Sequence, residues 1–307
     1  MRTADGDYVL PVDKPEGPTS HDVVAMARRG LGTRRVGHTG TLDPFASGLL
    51  VLCVGRATRL AEYLSGLDKR YAAEARLGVS TDTLDREGEL IEEDDGWKTV
   101  KIEAVEAALR TLEGRIQQVP PQYSAKKVGG EAMHRKARRG ESVDLAPVAV
   151  DVYELQLLRF EPPTVTFGVH CSTGTYVRAL ARDLGKALGV GAHLTALRRT
   201  SVGPFDLEDA VEANDLGQAD AVEASRVSPL AALSHLPTLQ VADDVAARVR
   251  HGQRVRMGTP GVGADALPVD AVAGSAARLV AVAHADDLVA VGRLEDGVLK
   301  PAKVFPA

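Results

Sequence analysis

The stretch Gly37-His38-Thr39-Gly40-Thr41-Leu42-Asp43-Pro44-Phe45-Ala46-Ser47-Gly48-Leu49 constrains this chain more than any other. One carboxylate, Asp43, stands among glycines, threonines and a proline, and the run continues into the apolar segment from Leu49 to Val54. Glycine admits backbone conformations that other residues resist and lets another molecule approach closely. Pro44 fixes the turn just after the acid. The apolar segment has the length and composition of a buried strand. The expectation is a rigid loop, anchored on that strand, that holds one acid at the mouth of a pocket. An Asp-Pro pair alone most often forms only a turn, so Asp43 by itself does not make a site.

At 307 residues the chain can form one large domain and a small one. No apolar run reaches membrane-spanning length, and Met1-Arg2-Thr3-Ala4-Asp5 lacks the apolar core of a signal peptide. A cytoplasmic protein without membrane contact is expected. Cys53 and Cys171 lie in apolar, strand-like segments and are too few for a zinc site, so buried reduced thiols are expected. The net charge of −5 argues at first against a nucleic-acid partner. Its distribution answers that objection. Acids crowd between Asp82 and Asp95 and between Asp206 and Asp215, whereas bases gather at Arg28, Arg29, Arg34 and Arg35 and from Lys126 to Arg139. Phosphate binding needs a local positive surface rather than a positive total, although a basic run is commonly no more than a solvated face.

Along the chain, a strand from Tyr8 to Asp13 precedes a helix N-capped by Thr19 or Ser20, with Val23, Val24 and Ala27 on its buried side. Residues 69–78 read as another strand, and 82–96 as a loop or edge hairpin. A helix is expected from Ile102 to Leu112, closed by Gly114. Strands follow near Tyr153 to Phe160 and Val165 to Cys171, then a helix from Tyr176 to Leu188 stopped by Gly189. Strands and helices mixed without strict alternation give an α+β fold around a mixed sheet. Glu208 to Ser225 reads as a surface helix with a connector. A second unit begins near Leu236, with a helix at Ala242 to Val249 and strands at Gln253 to Met257, Leu279 to Val282 and Leu288 to Arg293. Gly258 to Ala276 is rich in small residues and reads as a long loop.

The Asp43 stretch, extended through Gly55-Arg56-Ala57-Thr58, resembles the signature of the TruB family of tRNA pseudouridine synthases. The resemblance recurs in order at Lys14-Pro15-Glu16-Gly17-Pro18-Thr19, at Lys69-Arg70-Tyr71 through Leu77-Gly78, and at Pro120-Pro121-Gln122-Tyr123-Ser124-Ala125-Lys126-Lys127. It ends with His170 through Arg178, Asp183-Leu184-Gly185, Gly191-Ala192-His193-Leu194 and Leu197-Arg198-Arg199. The bacterial tRNA-modifying branch fits best. The resemblance implies a mixed-sheet catalytic domain over residues 1–232 and a small PUA-like RNA-binding β domain over 236–307, the latter on layout rather than sequence.

It also implies a reaction: isomerisation of uridine-55 in the tRNA T-loop to pseudouridine. The N1–C1′ bond breaks, the uracil turns, and C5 rejoins C1′. No redox step or net hydrolysis occurs, so neither cofactor nor metal is expected. Asp43 is the implied catalytic residue, as nucleophile at C1′ or C6 or as base at C2′. Arg178 is its implied cationic partner, which would keep a buried carboxylate charged. Tyr71 would stack on the uracil and assist removal of the C5 proton, with Leu197 against the other face. His38 would fill the space left by the extruded nucleotide, and Lys14, Tyr123 and Lys126 would frame the pocket or contact the RNA backbone. The partner is then tRNA alone, with no obligate protein partner and a monomer expected. The alternatives are a tRNA-binding and folding protein with secondary catalysis, and a guide-RNA-dependent pseudouridine synthase. A hydrolase with paired carboxylates is disfavoured because no second acid of comparable motif quality accompanies Asp43.

Overall fold

Every residue from Gly48 to Val54 is buried, as a strand covered on both faces requires. The computed structural model describes residues 6–123, 127–128, 131–132, 145–263 and 277–306. Its first part contains β1 (Tyr8–Lys14), α1 (Ser20–Gly30), β2 (Val36–His38), β3 (Ser47–Val54), α2 (Ala61–Leu64) and β4 (Lys69–Leu77). A two-stranded hairpin of β5 (Val79–Thr81) and β6 (Leu90–Glu93) follows, then α3 (Ile102–Arg110) and β7 (Gly114–Gln118). After the short ribbon β8 (Lys127–Val128) and β9 (Glu131–Ala132) come β10 (Val148–Glu161), β11 (Thr164–Cys171), α4 (Val177–Leu188) and β12 (Ala192–Val202). β13 (Phe205–Asp206), β14 (Val211–Glu212) and α5 (Ala219–Ser225) complete this part. The second unit holds β15 (Thr238–Gln240), α6 (Asp243–Arg250), β16 (Val255–Arg256), β17 (Arg278–His284), β18 (Asp287–Glu295) and β19 (Val298–Val304).

The large sheet runs β14-β1-β3-β12-β4-β11-β10-β7, with β13 beside β12 and β2 beside β3. β1 with β14 and β3 with β12 are parallel, and the remaining pairs are antiparallel. The mixed α+β sheet expected from the sequence is therefore present. Alternation along β3 serves two cores. Leu50, Leu52 and Val54 pack with Val23, Val24 and Ala27 of α1, while Leu49, Val51 and Cys53 pack with Ala281, Leu288 and Val291 of the second unit. A third core joins β4, β10, β11 and β12 to α3 and α4, and takes in Leu42 and Phe45 of the Asp43 loop.

The second unit is a five-stranded sheet, β15-β17-β18-β19-β16, with its own core around Val245, Val249, Val282, Val289 and Leu299. It is bound to the first by more than apolar contact. Arg59 donates to the Val304 carbonyl at 2.6 Å and lies over the Phe305 ring at 5.5 Å, and Lys303 pairs with Glu62 at 2.9 Å.

Thr19 caps α1 as expected, in a reciprocal arrangement with Asp22. Gly189 ends α4 in the left-handed conformation at φ 75°. Other expectations fail for identifiable reasons. α3 ends at Arg110, and Gly114 opens β7 rather than closing the helix. Residues 208–225 are mostly short turns and the strand β14, with α5 confined to Ala219–Ser225. The largest omission is β12, which occupies the sheet's interior between β3 and β4. Its register shifts between Leu194 and Ala196 and again between Arg199 and Ser201, so alternation breaks twice and the strand pattern is erased. β2, β15 and β19 are likewise unforeseen. The strand expected at 253–257 shortens to Val255–Arg256, and most of the loop expected over 258–276 lies outside the described residues.

Candidate active site

The Asp43 loop is held from three sides. The buried Ser20 hydroxyl accepts from the Leu42 amide at 2.8 Å and donates to the Leu42 carbonyl at 3.0 Å. Thr39 joins the loop to β3 through its amide and the Val51 carbonyl at 3.1 Å. The Gly17 amide and the Lys14 ammonium both donate to the Pro44 carbonyl, at 2.9 Å and 3.3 Å. Lys14 also donates to the Pro15 and Pro18 carbonyls, each at 2.8 Å. With no exposed surface, Lys14 is out of reach of a molecule in the cleft; framing the loop is the role its geometry permits. Burial pushes its ammonium down to about 8, against the attraction of Asp43.

Arg178, the second residue of α4, reaches four acceptors from a site where its side chain is 6% exposed. Its Nε pairs with Asp43 Oδ2 at 2.9 Å, and its Nη1 with Asp85 Oδ2 at 3.1 Å. The same Nη1 donates to the Thr83 carbonyl and Nη2 to the Tyr123 carbonyl, both at 2.8 Å. Two carboxylates thus share one cation. Asp85 is as deeply buried as the arginine and is oriented further by the Thr83 hydroxyl at 2.6 Å. Asp43 keeps 37% of its side chain open to the cleft. Desolvation pushes the Asp43 carboxyl above the usual carboxylate range, Arg178 pulls it back, and Asp85 pushes it up again. The arrangement gives a carboxylate that is held charged by Arg178, yet is more basic than a solvated aspartate.

Asp43 and Arg178 line a cavity of about 340 Å³ together with Tyr71, Leu197 and Arg199. That volume falls in the range of sites for small molecules. Tyr71, from β4, and Leu197, from β12, supply an aromatic and an aliphatic wall. Burial raises the Tyr71 phenol above its usual value, and Arg199 opposes the rise. Lys69, also on the wall, is pushed down to about 8 by burial and by Arg199.

Four residues expected at the site, Asp43, Arg178, Tyr71 and Leu197, are brought together around this cavity. His38 stands one residue before the wall residue Thr39, edge-on to His21 at 5.3 Å between ring centroids. Its Nδ1 is buried without a hydrogen-bond partner among the described residues. Burial foremost, and His21 beside it, lower its pKa. Tyr123 enters through its carbonyl on Arg178 rather than on the cavity wall. Lys126 and the basic run from Arg135 to Arg139 lie outside the described residues. Asp85 and Arg199 were not singled out from sequence. Asp85 was lost in the acidic crowd, though Thr83-Leu84-Asp85 and Gly88 carry a turn signal: Leu84 is left-handed at φ 64°, and a Cβ on Gly88 would meet Thr83 Oγ1 at 2.3 Å. No group of three or more His, Cys, Asp or Glu side chains among the described residues could hold a metal ion.

Residues 28–177 match the model of the TruB family pseudouridylate synthase N-terminal domain, and residues 178–235 that of the tRNA pseudouridylate synthase B C-terminal domain. The chain is 50% identical over 249 residues to a tRNA pseudouridine synthase B of Symbiobacterium thermophilum, covering 80% of this chain and 82% of that one. It is 45% identical over 300 residues to the protein of that name from an Arthrobacter species, covering 96% and 95%. Among solved structures, an H/ACA ribonucleoprotein bound to a substrate RNA containing 2′-deoxyuridine contains a chain that superposes with a TM-score of 0.74. That alignment has 28% identity and covers 98% of this chain and 85% of the other.

Proposed function

Since the chain belongs to the TruB family of pseudouridylate synthases, we propose that it isomerises uridine-55 of the tRNA T-loop to pseudouridine, with Asp43 as its catalytic residue. The observation that carries this reading is the Asp43–Arg178 pair, 2.9 Å apart on the wall of a nucleoside-sized cavity. Isomerisation needs an ionised carboxylate at the sugar–base junction, and burial alone would neutralise one. Arg178 opposes that neutralisation from a position already fixed by Asp85 and two main-chain carbonyls. The charge is therefore in place before substrate arrives, and little reorganisation accompanies the reaction.

Asp43 starts the reaction as nucleophile at C1′ or C6 or as base at C2′; all three require it ionised. The N1–C1′ bond breaks, the uracil turns between Tyr71 and Leu197, and the C5–C1′ bond forms. The proton leaves C5, and N1 gains one. Reaching the base requires extruding it from the folded T-loop, at about a few kcal/mol in lost stacking. His38, one residue before the wall residue Thr39, fills the vacated space. The basic residues of α6 and its exit, Arg248, Arg250 and Arg254, suit the RNA-binding role assigned to residues 236–307.

The protein acts without a guide RNA. Two relatives covered over 82% and 95% of their length are named tRNA pseudouridine synthase B, at 50% and 45% identity, against 28% for the ribonucleoprotein chain. The test is to incubate the pure protein with an unmodified tRNA transcript and map pseudouridine by carbodiimide-blocked primer extension. A single new stop adjacent to position 55 is expected. Modification elsewhere, or none until another RNA is added, would overturn the assignment.

A further inference from the structure

Arg178 is carried to Asp43 by a helix whose own residues do not cap its start. α4 follows Tyr176, an N-cap residue whose side chain makes no capping bond. In a capping box the third helical residue reaches back to the amide of the N-cap. Here that residue is Ala179, which has no group to reach with. The missing partner comes from another strand. Gln118, the last residue of β7, is 1% exposed. Its Oε1 accepts from the Tyr176 amide at 2.8 Å, and its Nε2 donates to the Tyr176 carbonyl at 3.2 Å.

The two bonds act as a pair. A carboxamide accepts at one end and donates at the other, so engaging both ends on one residue fixes the orientation of the peptide units flanking Tyr176. Arg178 stands two residues further on. The chain beyond Gln118 then closes on the same helix. The Val119 carbonyl accepts from Arg182 Nη1 at 3.1 Å, one turn along α4, and the Tyr123 carbonyl accepts from Arg178 Nη2 at 2.8 Å. Pro120 and Pro121, both buried, restrict the backbone between those two contacts. β7 is an edge strand, paired with β10 alone among the described strands. Its end is therefore tied to α4 by side chains rather than by a second ladder.

We propose that Gln118 is a positioning residue: it seats the first turn of α4 and the segment leading to Tyr123, so that the Arg178 guanidinium points at Asp43. The proposal rests on the reading of this cavity as the pseudouridine-forming site. Gln118 does not line the cavity, whereas Tyr176, Val177 and Arg178 do. It acts through main chain at both ends: the Tyr176 amide and carbonyl on one side, the strand running to the Tyr123 carbonyl on the other. Asparagine cannot replace it, because an amide one methylene shorter does not reach both Tyr176 groups.

The experiment measures single-turnover rate against pH on an unmodified tRNA transcript, together with tRNA affinity. The variants are Gln118→Met, Gln118→Asn, Arg178→Lys and the double variant of Gln118→Met with Arg178→Lys. Methionine keeps the length and bulk of glutamine and loses both bonds. Gln118→Met is expected to slow the chemical step about 10- to 100-fold, as displacements near 1 Å do, with affinity changed less than about threefold. Asp43 faces Arg178, Asp85 and Lys14. With Arg178 drawn off, its carboxyl rises, so the acid limb should move to higher pH, as it should for Arg178→Lys. In the Arg178→Lys background the same change should cost several-fold less, because the fork it aims is gone. A wild-type rate, an acid limb that stays in place, a fully multiplicative double variant, or a loss confined to affinity would each overturn the proposal. If Gln118→Met does not fold, Gln118→Asn decides alone: a smaller loss with the same shift supports the proposal, and an unchanged rate or acid limb overturns it. Asp43→Asn runs as the control. Should it turn over normally, the reading of the cavity fails; should it be inactive while Gln118→Met is normal, only the role of Gln118 fails.

Discussion

Removing Arg178 should damage stability and chemistry by amounts that the structure separates. Arg178→Met leaves Asp85, buried to 6% exposure, without its cation, and leaves the Thr83 and Tyr123 carbonyls without this donor. Breaking one side of a buried ion pair costs about 3–5 kcal/mol. Arg178→Lys keeps the charge, but an ammonium cannot meet acceptors on Asp43, Asp85, Thr83 and Tyr123 together. Its three donors leave at least one of the four acceptors unmet, and one such bond to a charged group costs about 1.5–3 kcal/mol. Urea unfolding at neutral pH should therefore rank wild type above Lys and Lys above Met. The chemical signature is independent of that ranking. Arg178 is the chief influence lowering the Asp43 carboxyl against desolvation. Without it the carboxyl rises further, so the acid limb of the single-turnover pH–rate profile should move to higher pH, most for Met. Activity of the Met variant should then recover in part as pH is raised. An acid limb that stays in place, in a variant that is folded and slow, would refute the claim that Arg178 works by keeping Asp43 ionised.

Asp43→Asn should be inactive yet at least as stable as wild type at pH 7. A folded-state carboxyl raised above its unfolded value costs stability once ionised. The advantage should vanish as pH falls through the raised value, which urea midpoints at several pH values would show. Lys14→Met should lose about 1–3 kcal/mol from the stranded Pro15, Pro18 and Pro44 carbonyls, again by urea midpoint. Because the folded Lys14 ammonium is lowered to about 8, wild type should gain on this variant between pH 8 and the usual lysine range. Cys53, buried against the second unit and pushed up to about 12, should resist thiol reagents in the intact chain. A chain ending at residue 235 uncovers that face, so Cys53 should react within minutes; equal protection would mean that the second unit does not cover it.

The parts of the fold with local signals were legible: the capped start of α1, the glycine stop of α4, and the apolar run of β3. β12 was not, because two bulges and the pair Arg198-Arg199 disguise an interior strand. The same disguise hid Arg199, a cation placed in a sheet where sequence reasoning expects an apolar side chain. Asp43, Tyr71, Arg178 and Leu197 come from four separate segments and could be grouped only by resemblance; their convergence on one cavity is a product of the tertiary fold. Asp85 needed the structure because a buried, paired acid looks, in one dimension, like its solvated neighbours. Lys14 shows the converse: a lysine in a motif invites a phosphate, and burial gives it three proline carbonyls instead.

The most direct test of the central claim is tritium release from a tRNA transcript labelled at uracil C5, with wild type and Asp43→Asn side by side. The account predicts release equal to one uridine per tRNA by wild type, none by Asp43→Asn despite retained salt-sensitive tRNA binding, and none when position 55 is not uridine. Release by Asp43→Asn at the wild-type rate would contradict it.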